Sequence, residues 1–129
     1  MRTSTELAQG IADALAPIVG VRVWTFASDT VLPPAVVVER PTITWTGADV
    51  TFGQAHWDWP LTVVVTRSHD KTAHDELDRI VTAVADHLGD DPTLGGVAQF
   101  AVLQSAEPVT VTTGGQELPA YQLTLAMIA

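Results

Sequence analysis

Ser68-His69-Asp70 sets the residue types of a hydrolytic triad side by side. Neighbours in sequence point in different directions, however, and cannot form a relay of nucleophile, base and orienting acid. Short polar side chains between an alternating run and a helical run are better suited to capping the helix. His69 and His74 are five apart, which does not align them on a helix face as the spacing of HExxH does. His74 and Asp78 do share a face and are the one pair that could hold a metal, but an exposed polar pair is much the better account of them. Gly95-Gly96 and Gly114-Gly115 lack the flanking residues of a phosphate loop and read as turns. Nothing assembles a nucleophile, a base and an oxyanion hole, so the chain reads as non-enzymatic, with no cofactor and no metal site.

Four tryptophans, at 24, 45, 57 and 59, could stack on bases or sugars. Arg40 is the one Lys or Arg that falls between them, too little positive charge for a nucleic-acid surface, which favours core or interface roles. Trp45 and Trp57, on either side of a glycine-containing stretch, are the expected interface anchors.

The elements that position these residues follow from periodicity. Trp57, Trp59, Leu61, Val63 and Val65 alternate with Asp58, Pro60, Thr62, Val64 and Thr66, the period of a pleated strand. Ala73, Leu77, Ile80, Val81, Val84 and Leu88 then make one helical stripe that Gly89 stops. These adjoining elements bury their apolar faces most simply against each other. Upstream, Thr3-Ser4-Thr5-Glu6 has the form of a capping box, ahead of Leu7, Ile11, Leu15 and Ile18 on one face of a first helix ended by Gly20. A short strand is expected over 21–26, and a longer one over 35–45 that Pro41 interrupts. Residues 46–56, with two glycines and weak periodicity, read as the tip of a long β-hairpin spanning 35–67. After a turn-rich connector at 90–96, a strand over 97–106, a tight hairpin turning at Gly114-Gly115 and a last strand over 120–128 are expected. Tyr121, Leu123, Leu125 and Met127 share one face of that last strand. No repeat or linker divides the 129 residues, so one α+β domain is expected.

The totals bound the function. There are no cysteines, which removes disulfides and thiolate metal sites. Glu6 and Asp13 interrupt any signal-peptide core, so the expected product stays where it is made. Six basic residues face fifteen acidic ones, a formal net charge of −9. Such a chain does not grip phosphates, which need clustered Lys and Arg, but it can surround DNA without sticking to it. Charged residues make up only 16% of the chain, against about 25% in typical domains. A deficit of charge in a small protein points to surface covered by neighbours, and hence to an oligomer.

The order of pieces carries a resemblance. Leu15-Ala16-Pro17-Ile18-Val19-Gly20 ends the first helix and Val21-Arg22-Val23-Trp24 follows it. Next come Leu32-Pro33-Pro34-Ala35-Val36-Val37-Val38 leading to Pro41, then Trp59-Pro60-Leu61-Thr62-Val63-Val64-Val65 with Asp75-Glu76-Leu77-Asp78. Asp91-Pro92-Thr93-Leu94-Gly95-Gly96-Val97 and a Gly-Gly hairpin complete the series. In this order and spacing the chain resembles the tail terminator proteins of long-tailed, siphovirus-type bacteriophages, the actinobacteriophage type above all, and more distantly that of lambda.

The resemblance implies a mixed, mostly antiparallel sheet with two helices packed on one face, in a protomer of a six-membered ring. Such a ring caps the tail tube, halts its polymerisation and offers the surface that joins head to tail. The implied partners are further copies of the chain, the major tail tube protein and a head-closure or adaptor protein of the neck. Genomic DNA passes through without specific binding, no membrane is involved, and the place of action is the neck end of the virion tail. Trp45, Asp49, Val50, Phe52, Gln54, His56, Trp57 and Asp58 are the expected ring or partner interface. Asp49 and Asp58 are the expected channel-facing acids. Two other readings remain open at this stage: another neck or tail-completion protein, and a host-encoded α+β ligand-binding domain.

Overall fold

The computed structural model describes residues 2–18, 20–25, 32–45, 54–66, 70–113 and 115–129. The chain folds as α+β: two helices and a six-stranded, mostly antiparallel mixed sheet.

Helix α1 (Ser4–Leu15) starts where the capping box places it. The Thr3 hydroxyl accepts from the Glu6 amide at 3.2 Å, and the Thr3 amide donates back to the Glu6 carboxylate at 3.4 Å. Two otherwise orphaned donors are thereby satisfied. Leu7, Ile11 and Leu15 form its fully buried face. Strand β1 (Arg22–Trp24) runs parallel to β2 (Ala35–Val38), with Arg22 opposite Ala35. Among the described residues only this pair is parallel.

Strands β2 and β3 (Thr42–Thr44) both pair antiparallel with β4 (His56–Val64), so Pro41 interrupts one long hairpin arm, as expected. Val38 lies opposite Leu61 and Thr42 opposite Asp58, leaving three residues against two at the break. There the Glu39 amide donates to the Pro60 carbonyl at 2.9 Å. A strand residue's N–H and C=O point to the same side, so the donor that Pro60 lacks would have faced this break. A central-strand proline is thus tolerated.

Helix α2 (Asp70–Asp90) follows β4 and packs across it and the last two strands, β5 (Phe100–Thr113) and β6 (Gln116–Ile128). The expected strand over 97–106, the small hairpin and the last strand over 120–128 are instead one continuous hairpin of two long strands. The two prolines within these strands, Pro108 and Pro119, sit where no ladder bond is needed. Ala55 and Ala129 exchange both backbone bonds, which makes the odd-numbered residues of β6 face β4. Pro108, opposite Tyr121, therefore turns its nitrogen to the open edge of β5. Pro119 turns its nitrogen past the end of β4, whose last partner is Ala120. A bulge between Leu103 and Ser105 absorbs one residue of mismatch.

The strand order is β1-β2-β4-β6-β5, with β3 beside β4. The core lies between the helices and one sheet face. It joins Leu7, Ile11 and Leu15 with Leu77, Ile80 and Val84, and with Trp57, Trp59, Leu61, Leu123 and Leu125. Two glycine positions matter for the packing. A Cβ on Gly10 would stand 2.5 Å from Val97 Cγ2, so the missing side chain lets α1 lie against the connector after α2. In that connector Leu94, Gly95 and Gly96 all have positive φ. Asp91 holds the turn by accepting from the Gly95 amide at 2.7 Å and the Thr93 hydroxyl at 3.1 Å, which drives Leu94 into the core.

Candidate interaction surface

Alternation along β4 sorts the expected interface residues onto two faces. Trp57 and Trp59 point toward the helices, 1% and 2% exposed, with rings stacked at 5.9 Å between centroids. The Trp57 indole N–H donates to the Ala129 carbonyl at 3.1 Å. This corrects the expectation of Trp57 as an interface anchor: it shares the stripe of Leu61 and Val63, and that stripe is core. His56 and Asp58 occupy the opposite face, half-buried and exposed respectively. Gln54 is half-buried just before β4, and Trp45 stands 57% exposed just after β3. Asp49, Val50 and Phe52 lie outside the described residues, as do Ser68 and His69.

Strand pairing extends the helix-free face into rows that sequence reasoning missed. One row runs Thr44, His56, Ile128, Phe100; the next runs Thr42, Asp58, Ala126, Val102. Phe100 and Val102 are 50% and 45% exposed on the sheet's outermost strand. They give the β5 edge of this face an exposed apolar strip that neither helix covers. A signal for it existed. Phe100-Ala101-Val102-Leu103 is apolar at every position, and a strand without polar alternation needs cover on both faces. Toward the other end the same face closes on itself, where Val64, Leu118 and Ala120 form a small second cluster.

Charge is arranged unevenly. Asp75, Asp78, Asp86 and Asp90 are exposed along α2. Among the described residues three cations pair with acids three or four positions away: Arg2 with Glu6 at 3.4 Å, Lys71 with Asp75 at 3.2 Å and Arg79 with Glu76 at 2.7 Å. The Arg79 guanidinium holds the Glu76 carboxyl below its ordinary value, and Glu76 in turn raises Arg79. The Thr3 amide and then its hydroxyl do the same for Glu6, with Arg2 adding to the effect. These pairs are exposed, and water screens most of their worth. Arg22 and Arg40 meet no carboxylate among the described residues.

The candidate metal pair stays exposed on α2, and among the described residues no three His, Cys, Asp or Glu gather into a ligand set. No described helix is long and apolar enough to cross a membrane. Two open grooves flank α1. One lies against the 91–97 connector, and the other lies at the break between β2 and β3. A comparison with protein-family models and with curated protein sequences finds no match to this chain.

Proposed function

We propose that the protein is a structural component of a phage tail: a ring-forming tail terminator that caps the tube, stops its growth and presents the surface to which the head joins. It works without catalysis or cofactor. Its partners are five further copies of itself, the tube protein below and a head-closure or adaptor protein above, at the neck of the virion. The observation that carries the reading is the sheet face left uncovered by the helices, with Phe100 and Val102 about half exposed at its β5 edge. A free chain of this size gains little by holding large apolar groups in water, whereas a ring protomer buries them against its neighbours. The acid excess supports the same reading, since fixed negative charge gives a sliding DNA no point of attachment.

Light scattering tests it. The expected result is a mass near six protomers, formed by the chain alone or on addition of tube protein. A monomer at every concentration, indifferent to tube protein, would end the proposal. In infected cells, loss of the protein is expected to give over-long tails without heads. Tails of normal length beside leaking heads would assign it to head closure instead.

A further inference from the structure

Resting on the ring reading above, we infer that the copies are joined edge to edge through their sheets. The start of β5 in one copy pairs antiparallel with β3 of the next, setting Ala101 opposite the partner's Ile43. Among the described residues β5 and β3 each have a strand on one side only, β6 and β4 respectively. Their outer backbone groups are open, and an open edge is a template for another strand.

The two halves of β5 are not alike. Glu107 is exposed and Pro108 turns its nitrogen to the open edge, and a charge and a missing donor both discourage a further strand there. Residues 100–106 contain neither a charged residue nor a proline, and Phe100 and Val102 stand half exposed beside that edge. Pairing across the sheet decides which other edge can meet it. Strand β1 lies level with the guarded half, since Trp24 connects through Val37, Thr62 and Gln122 to Glu107. Strand β3 lies level with the unguarded half: Thr44, Ile43 and Thr42 connect through β4 and β6 to Phe100, Ala101 and Val102. It is uncharged too, and its Thr42 and Thr44 are exposed.

Direction and hydrogen-bond phase agree with this choice. At this end the sheet runs β3-β4-β6-β5, four strands joined by antiparallel pairs, so its two edges point in opposite senses. Repeating such a block head to tail continues the antiparallel alternation, and two different edges meeting in this way close a ring. The odd-numbered residues of β6 face β4, so Met127 turns away from Ala101, and Ala101 turns its own N–H and C=O to the open edge. By the same alternation Trp57 faces β6, and Ile43 opposite it faces outward. Level pairing therefore lets Ala101 and the partner's Ile43 exchange both backbone bonds. It also sets Phe100 beside the partner's Thr44 and Val102 beside the partner's Thr42, cross-strand contacts of aromatic and β-branched side chains that stabilise sheets.

Engineered disulfides test the pairing, because the chain has no cysteine of its own. Within one copy Thr42 and Val102 are three strand spacings apart, about 14 Å, too far for a disulfide. Between level copies they form a non-hydrogen-bonded pair with Cα atoms about 4.5 Å apart, which a disulfide spans. Oxidation of assembled Thr42→Cys/Val102→Cys is expected to give a covalent ladder reaching six chains on a non-reducing gel, with no more than traces of dimer from either single variant. In the unaltered chain, amide exchange at Ala101 and Ile43 is expected to slow by about tenfold or more on assembly. That measurement decides the matter if the cysteine variants do not assemble. Assembly without the ladder, or without slower exchange at these two amides, overturns this inference and leaves the ring reading standing. A disulfide dimer from Val102→Cys alone overturns it in favour of β5 pairing with itself about a two-fold axis. A chain that never assembles, with or without tube protein, overturns both.

Discussion

The two faces of one sheet follow opposite rules. Toward the helices, Trp57, Trp59, Leu61 and Val63 are sealed, and α1 and α2 lie across them. On the other face His56, Asp58, Pro60 and Thr62 alternate with them along the same strand, and Phe100 and Val102 stand half in water. Neither face is chemically pure, since the open one is apolar at the β5 edge and polar at its centre. The difference is that the helices cover one face and leave the other open, and on the proposed ring reading a neighbouring copy covers the second. Stability should reside in the first and association in the second.

Substitutions can break or sharpen that contrast. Trp57→Ala is expected to cost the most, about 3–5 kcal/mol, because it opens a large cavity in the core and removes one of the two donors to the Ala129 carbonyl. Urea unfolding measures it, and a loss under about 1 kcal/mol would erase the distinction between the faces. Gly10→Ala comes next, at about 1–3 kcal/mol, since its methyl would press on Val97. Adding Val97→Ala should recover part of that loss; if it recovers none, the close approach of α1 to the connector is not the cause.

Thr3→Ala removes the cap and should cost about 1 kcal/mol, seen as a lower thermal midpoint. Phe100→Thr on the open face should change the stability of the free chain by no more than about 0.5 kcal/mol while weakening self-association. A large loss of stability there would mean that the open face is closed within the chain.

The smallest expected effect is one of pH. Glu6 is held below its ordinary value by Thr3, so the folded state binds its proton less readily than the unfolded state. The associated stability is present above the unfolded carboxylate value, about 4.3, and is lost as pH falls through the lower folded value. Glu76 acts in the same sense through Arg79. A titration of the thermal midpoint should show a shallow decline only in that acid window, and a shallower one still in Thr3→Ala.

Much of the fold was legible because it is local. The capping box, the α1 and α2 stripes, the alternation of β4 and the interruption at Pro41 each depend on residues a few positions apart. The long β5–β6 hairpin was not legible, because Pro108 and Pro119 look like breaks until it is known which side of each strand is unpaired. The candidate surface was legible in part. Trp45, Gln54, His56 and Asp58 lie near one end of the sheet, but Trp57 belongs to the core stripe it alternates with. Phe100 and Val102 entered only through pairing with Ala126 and Ile128.

What the amino-acid order determined by itself is direction: which side chains share a face, since a strand repeats every two residues and a helix every 3.6. What tertiary structure alone decided is adjacency, because Trp57 meets Ala129 across 72 positions and His56 reaches Phe100 only through Ile128. Periodicity is a property of the local backbone. Which face is covered, and which remains open, depends on contacts that no short stretch contains.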